Sequence, residues 1–106
     1  SGDQAAEAIT LNNISQIYDA QGDYDTALSY LDRSLQIMCD IDDKAGECAA
    51  LINIGHIVWK NAPSQAVAIW LSGYKIAKEI NLYPALQVFN QLAKNLGGTG
   101  LEFWES

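Results

Sequence analysis

The chain is predicted to fold as an all-α protein, an α-solenoid of antiparallel helix pairs with about five helices and a short C-terminal capping helix. Three observations predict it. Apolar residues recur every three to four positions through nearly all of the 106 residues, which is the helical period. Segments of the chain resemble one another at a spacing of about 40 residues, each a helix pair long. Composition agrees: 49% hydrophobic residues supply a core, and only two prolines and eight glycines interrupt helix.

Taken in order, Leu11, Ile14 and Tyr18 form one face of a first helix, about 3–20. The segment 18-YDAQGDYDTALSYL-31 follows, with three aspartates around Gly22. Gly22 permits a bend, while Asp23 and Asp25 favour the N-terminus of a second helix, about 24–40, through capping and the helix dipole. That helix carries Tyr24, Ala27, Leu28, Leu31, Leu35 and Met38, and the acidic segment 40–43 ends it. A third helix, about 44–60, carries Leu51, Ile54, Gly55 and Val58. The stretch 61-NAPS-64 stops it, and Pro63 suits the first turn of a fourth helix, about 64–80, where its missing N–H costs nothing. Asn81 and Pro84 punctuate again before a fifth helix, about 84–96, with Phe89, Leu92, Ala93 and Leu96. The last stretch, 97-GGTGLEFWES-106, reads as a glycine-rich stop followed by a short cap carrying Phe103 and Trp104.

The repetition is specific. Between 11-LNNISQIY-18 and 51-LINIGHIV-58, Leu, Asn, Ile and Ile recur at a shift of 40, and 89-FNQLAKNL-96 keeps the same skeleton. Ser15, Gly55 and Ala93 fall at one small-residue position. The partner helices agree: in 27-ALSYLDRSLQI-37 and 66-AVAIWLSGYKI-76 an alanine precedes a bulky residue by four positions, and a small residue follows three later. Small residues let helix backbones approach, and Leu31 or Trp70 fills the gap. Repeat 1 spans about 8–43, repeat 2 about 44–82, and a partial third repeat with its cap about 83–106, all in one domain.

These residues resemble the tetratricopeptide repeat family, in a long-period variant. Leu11, Ile14, Ser15, Tyr18, Gly22, Ala27, Leu31 and Ser34 answer its pattern in the first repeat. Leu51, Ile54, Gly55, Val58, Ala66, Trp70 and Gly73 answer it in the second. Two departures stand out: the second bend lacks its glycine, and serine stands twice where glycine or alanine is usual. The resemblance implies that first helices line a concave groove for an extended peptide or a helix. Mapped residue by residue, the groove candidates are Ile9, Asn12, Asn13 and Gln16, then Ile52, Asn53, His56 and Trp59, then Gln87, Asn90, Gln91 and Lys94. Side-chain amides both donate and accept, so they suit a peptide backbone of any sequence. Trp59 is either an interface anchor or a filler beside the 61–64 bend. Family members that clamp a chaperone's C-terminal carboxylate use lysine and arginine. Here Asn12, Gln87 and Gln91 stand in those places, so a neutral groove is expected.

Other chemistries fit poorly. Counted from Asp19, a calcium loop would need glycine sixth and glutamate twelfth, where the chain has Tyr24 and Tyr30. Counted from Asp40, those places hold Ala45 and Leu51. The single histidine, His56, has no local nucleophile or carboxylate pair, and 97-GGTG-100 follows a helix, whereas a dinucleotide loop follows a strand. No catalytic residue, cofactor or metal is expected. Cys39 and Cys48 lack a CxxC pattern and read as thiols of a reducing, cytoplasmic setting.

The formal charge of −7 is uneven: residues 1–47 hold ten acids and two bases, net −8, and residues 48–106 three acids and four bases, net +1. That balance excludes a nucleic-acid backbone as partner and favours neutral or basic ones. No apolar run approaches the ~20 residues of a membrane span. The chain starts at Ser1-Gly2 without methionine, as expected of a cloning remnant or of a piece of a longer protein. The expected function is a non-catalytic module binding a peptide or protein segment. The alternative is a structural segment that self-associates through its terminal helices or continues a longer solenoid, and a regulatory role within a larger parent is a third reading.

Overall fold

The computed structural model describes residues 2–105, so Ser1 of the Ser1-Gly2 junction lies outside the described residues. Five helices follow one another: α1 (Gly2–Ala20), α2 (Tyr24–Asp40), α3 (Lys44–Val58), α4 (Pro63–Glu79) and α5 (Tyr83–Asn95). A short 3-10 helix, Leu101–Glu105, closes the chain, and there is no strand among the described residues. Among the described residues, no helix is long and apolar enough to cross a membrane.

The turns explain where the helices stop. Gly22 (φ 81°), Asp42 (φ 57°), Asn81 (φ 55°) and Gly97 (φ 97°) are left-handed residues just past a helix end. At each, the next residue's N–H reaches back five positions: Asp23 to Tyr18 (2.9 Å), Asp43 to Met38 (2.8 Å), Leu82 to Ala77 (2.9 Å) and Gly98 to Ala93 (2.8 Å). A second bond joins the left-handed residue to the carbonyl three before it, which makes all four ends Schellman caps. The α3 end differs. Trp59 stays right-handed, Ala62 takes φ −144° and ψ 73° and lends no side-chain cap, and Pro63 at the first position opens α4. Asp23 and Asp43 then cap the helices that follow, accepting from the Thr26 and Gly46 N–H groups.

Consecutive helices pack on one another, most extensively α1 with α2 and α3 with α4, while α2 also meets α3 and α4 meets α5. Links of three or four residues require each of these neighbours to fold back alongside the last. The molecule measures 39 × 31 × 17 Å along its principal axes. Lying between α2 and α4, α3 is buried on several sides at Cys48, Ala50, Ile54, Gly55 and Ile57.

Two apolar clusters hold the layers. One joins Ala27 and Leu31 of α2 to Ile54 and Ile57 of α3. The larger gathers Cys48, Trp70, Tyr74, Phe89, Leu92 and Trp104, and Val58 packs against both. Burying a side chain such as Leu31 or Phe89 contributes roughly 1.5–3 kcal/mol. Small residues permit the close approaches. A Cβ on Gly55 would collide with the Trp70 indole, and one on Gly73 would stand 3.0 Å from the Phe89 ring. The serines at the other small positions do more than fill space. Ser34 Oγ donates to the Ala8 carbonyl of α1 at 2.8 Å, and Ser15 Oγ to the Asn12 carbonyl at 2.6 Å. Each hydroxyl is buried and satisfied, so serine is tolerated where glycine or alanine was expected.

The C-terminal 3-10 helix lies over α4 and α5. Trp104 is buried against Phe89 and Tyr74, and its Nε1 donates to the Phe89 carbonyl at 2.8 Å. Glu105 accepts from Tyr74 Oη at 2.5 Å and from Lys78 Nζ at 2.6 Å. Burial, then this bond and the carboxylate charge, push the Tyr74 hydroxyl up to about 12. Lys78 and then Tyr74 hold the Glu105 carboxyl below its ordinary value.

Candidate functional site

On a helix, side chains three or four positions apart share a face. Gln16 and Asp19 do so on α1, and Asn53 and His56 on α3. These four line a recess of about 320 Å³ whose remaining walls are Ser15, Leu31 and Ile57. A second recess, about 360 Å³, is lined by His56, Trp59, Trp70, Leu92, Asn95 and Leu96, between α3, α4 and α5. His56 borders both, so the two meet at one side chain.

Hydrogen bonds and ring contacts set this geometry. Asn53 Nδ2 donates to Asn12 Oδ1 at 2.8 Å, tying α3 to α1. Trp70 Nε1 donates to the Ile52 carbonyl at 3.1 Å, which fixes the indole under α3. The Trp59 ring stacks on Trp70 with centroids 5.7 Å apart, and His56 meets the same indole edge-on at 5.4 Å. Trp59 nevertheless remains 40% exposed, an aromatic face open to solvent. Partial burial, with the positive charge of Lys60, pulls the His56 imidazole below its ordinary 6.5, and Asp19 opposes this only in part.

Asp19 closes the first recess. Its Oδ1 is buried and accepts no hydrogen bond, with Lys60 Nζ 3.5 Å away as an ion-pair partner. That ammonium also sits 5.2 Å from the centre of the Tyr24 ring. The site therefore offers one carboxylate, several amides and an aromatic floor.

The other expected groove residues are spread more widely. Ile9 and Asn12 line a third recess of about 290 Å³ with Ala8, Met38 and Ala49. Asn13 is exposed and lies outside these recesses, and Asn53 pairs with Asn12 rather than with Asn13, 40 positions before it. Ile52 is half-buried and packs on the larger core. Gln87 and Asn90 line a recess of about 320 Å³ near the chain's end with Tyr83, Leu86 and Leu101, apart from the His56 recesses. Gln91 donates to Asn95 at 3.0 Å, and Lys94 is exposed.

Sequence reasoning missed Asp19, Leu92, Asn95 and Leu96 as lining residues. A signal existed: Asp19 follows Gln16 by three, and Asn95 follows Leu92 by three. From sequence, the aspartate invites only a metal-ligand reading, and Leu92 and Leu96 read only as core.

Among the described residues, no group of three or more histidine, cysteine, aspartate or glutamate side chains is placed to hold a metal ion. Both cysteines are free thiols. Burial holds Cys48 up at about 11. Burial, then the bond that Cys39 Sγ donates to Glu47 Oε1 at 3.2 Å, also raises Cys39, which works against a reactive thiolate. Comparison of the chain with family models, curated proteins and solved structures found no match.

Proposed function

We propose that the chain is a non-catalytic protein-interaction module, a solenoid of tetratricopeptide type, which receives an extended peptide along α1, α3 and α5. The observation that carries this reading is the pair of recesses joined at His56. One side is lined by Gln16 and Asn53, whose amides can pair with a peptide backbone. The other has a floor of Trp59, Trp70 and Leu92, suited to an apolar side chain of the same peptide. The amide-rich first side and the net −8 of residues 1–47 favour neutral or basic ligands over acidic ones.

Panning a displayed library of random peptides against the purified chain tests this. The expected result is enrichment of peptides whose binding drops about tenfold or more in Trp59→Ala, the loss typical of an interface anchor. Asn53→Ala is expected to weaken the same peptides while circular dichroism stays unchanged. No enrichment, or peptides held equally by both variants, would overturn the reading.

A second reading rests on a different observation. Tyr83 is 70% exposed, and with Leu86 and Leu101 it lines the recess near the chain's end, with Val88 also open on α5. Such an end face is suited to stacking on a second copy or on further repeats. Light scattering across protein concentration tests it: growth of mass with concentration, lost in Tyr83→Glu, supports self-association, and a strict monomer removes it.

A further inference from the structure

We propose that the recess between α1 and α3 is a receptor for a cationic side chain of the bound peptide, arginine above all, with Asp19 as its counter-ion and Lys60 as an internal stand-in. The proposal rests on the groove reading and adds a chemical identity to one position of the ligand. Three observations converge. Asp19 Oδ1 is shielded from water yet accepts no hydrogen bond. A shielded carboxylate oxygen in that state is costly, so a donor that reaches it recovers the loss. The recess beside it holds about 320 Å³, enough for a side-chain head group, and its apolar walls Leu31 and Ile57 strengthen a charge pair by lowering the local dielectric. Finally, the polar walls are rich in acceptors. Ser15 Oγ is spent on the Asn12 carbonyl, and Asn53 Nδ2 on Asn12 Oδ1, which leaves Asn53 Oδ1 outside that bond.

A cation already visits the site. Lys60 Nζ stands 3.5 Å from Asp19 Oδ1, without a hydrogen bond, while also resting over Tyr24. A lysine on the turn after α3 reaches the carboxylate only as a point charge. A guanidinium entering the recess has donors on both edges and meets carboxylate and amide oxygens together, so arginine displaces Lys60 more effectively than lysine does. The surrounding charge agrees, because residues 1–47 carry net −8 and draw basic segments toward this end of the chain.

The test titrates isotope-labelled chain with a capped pentapeptide of alanines bearing one central arginine, and with citrulline and lysine counterparts, followed by amide NMR. The arginine peptide is expected to move the amides of Asp19, Asn53 and His56 and to bind about tenfold or more tightly than the uncharged citrulline peptide, as a charged hydrogen bond requires. Asp19→Asn is expected to erase that preference, and Lys60→Met to strengthen arginine binding several-fold without changing citrulline binding. Thermal unfolding of both variants checks that the fold persists. Equal binding of arginine and citrulline peptides, a preference retained in Asp19→Asn, or no shift with either peptide overturns the cation receptor. The groove itself is judged separately by the panning experiment, because enriched peptides without a basic residue leave it standing.

Discussion

Asp42 and Asn81 hold the left-handed conformation that Gly22 and Gly97 adopt without strain. For a residue with a Cβ this costs about 1–2 kcal/mol, less for asparagine and aspartate. Asn81→Ala is therefore expected to lower stability by about 1 kcal/mol. Asn81→Gly is expected to raise it by about 0.5 kcal/mol, the relief being partly offset by a freer unfolded chain. Urea denaturation of both variants measures the pair, and a stabilising alanine would contradict the cap. Gly55 shows the opposite constraint, close approach, because a methyl there meets the Trp70 indole. Gly55→Ala is expected to cost about 1–3 kcal/mol despite the better helix propensity of alanine. Gly22 and Gly55 were legible in the sequence as a bend and a contact point. The left-handed Asp42 and Asn81 were not, since either residue suits a helix end without that backbone, and the serine hydroxyl partners depend on a neighbouring helix.

Helix order and ends were largely readable, because the apolar period and the turn residues act locally. Where α3 and α4 meet, the boundary fell short of expectation: the helix stops at Val58, and Ala62 leaves the helical conformation before Pro63 starts α4. The C-terminal cap was anticipated from Phe103 and Trp104, and its 3-10 form is what a five-residue segment can complete. Trp104→Ala is expected to destabilise by about 3–5 kcal/mol, by emptying the space beside Phe89 and orphaning its carbonyl partner, and thermal unfolding measures it. On α3, His56 links protonation to stability. Its folded value lies below 6.5, so the unfolded chain binds more protons once pH falls toward that value. Stability is therefore expected to fall as the solution is acidified through about pH 6.5 and to flatten below the folded value. Comparing urea midpoints at about pH 7.5 and about pH 5.5 with those of His56→Gln isolates this contribution, which the variant is expected to lose. An unchanged pH slope would contradict the partial desolvation of the imidazole beside Trp70.

The described residues form five α-helices in sequence and a closing 3-10 helix, with α3 between its neighbours. Periodicity and repetition made the all-helical class legible, because both follow from residues facing a shared core. The candidate site was legible only in part. Gln16, Asn53, His56 and Trp59 come together, whereas Asn13, Gln87, Asn90 and Lys94 fall elsewhere. Repeat equivalence places residues on a helix face but not across the gap between helices, where the Asn12–Asn53 bond and Trp70 set the register. Asp19 reads from the sequence only as a failed calcium-loop residue for a related reason: its ion pair is with Lys60, 41 positions away in sequence and 3.5 Å away in space. The proposed function requires a ligand to run along α1, α3 and α5. Amide chemical-shift mapping with a peptide enriched from the random library tests it most directly. Shifts are expected at Gln16, Asn53, His56, Trp59 and Asn95, with the exposed residues Ser29 and Asp32 of α2 and Ser72 of α4 unmoved. Shifts concentrated on those α2 and α4 residues, with His56 and Trp59 silent, would contradict it.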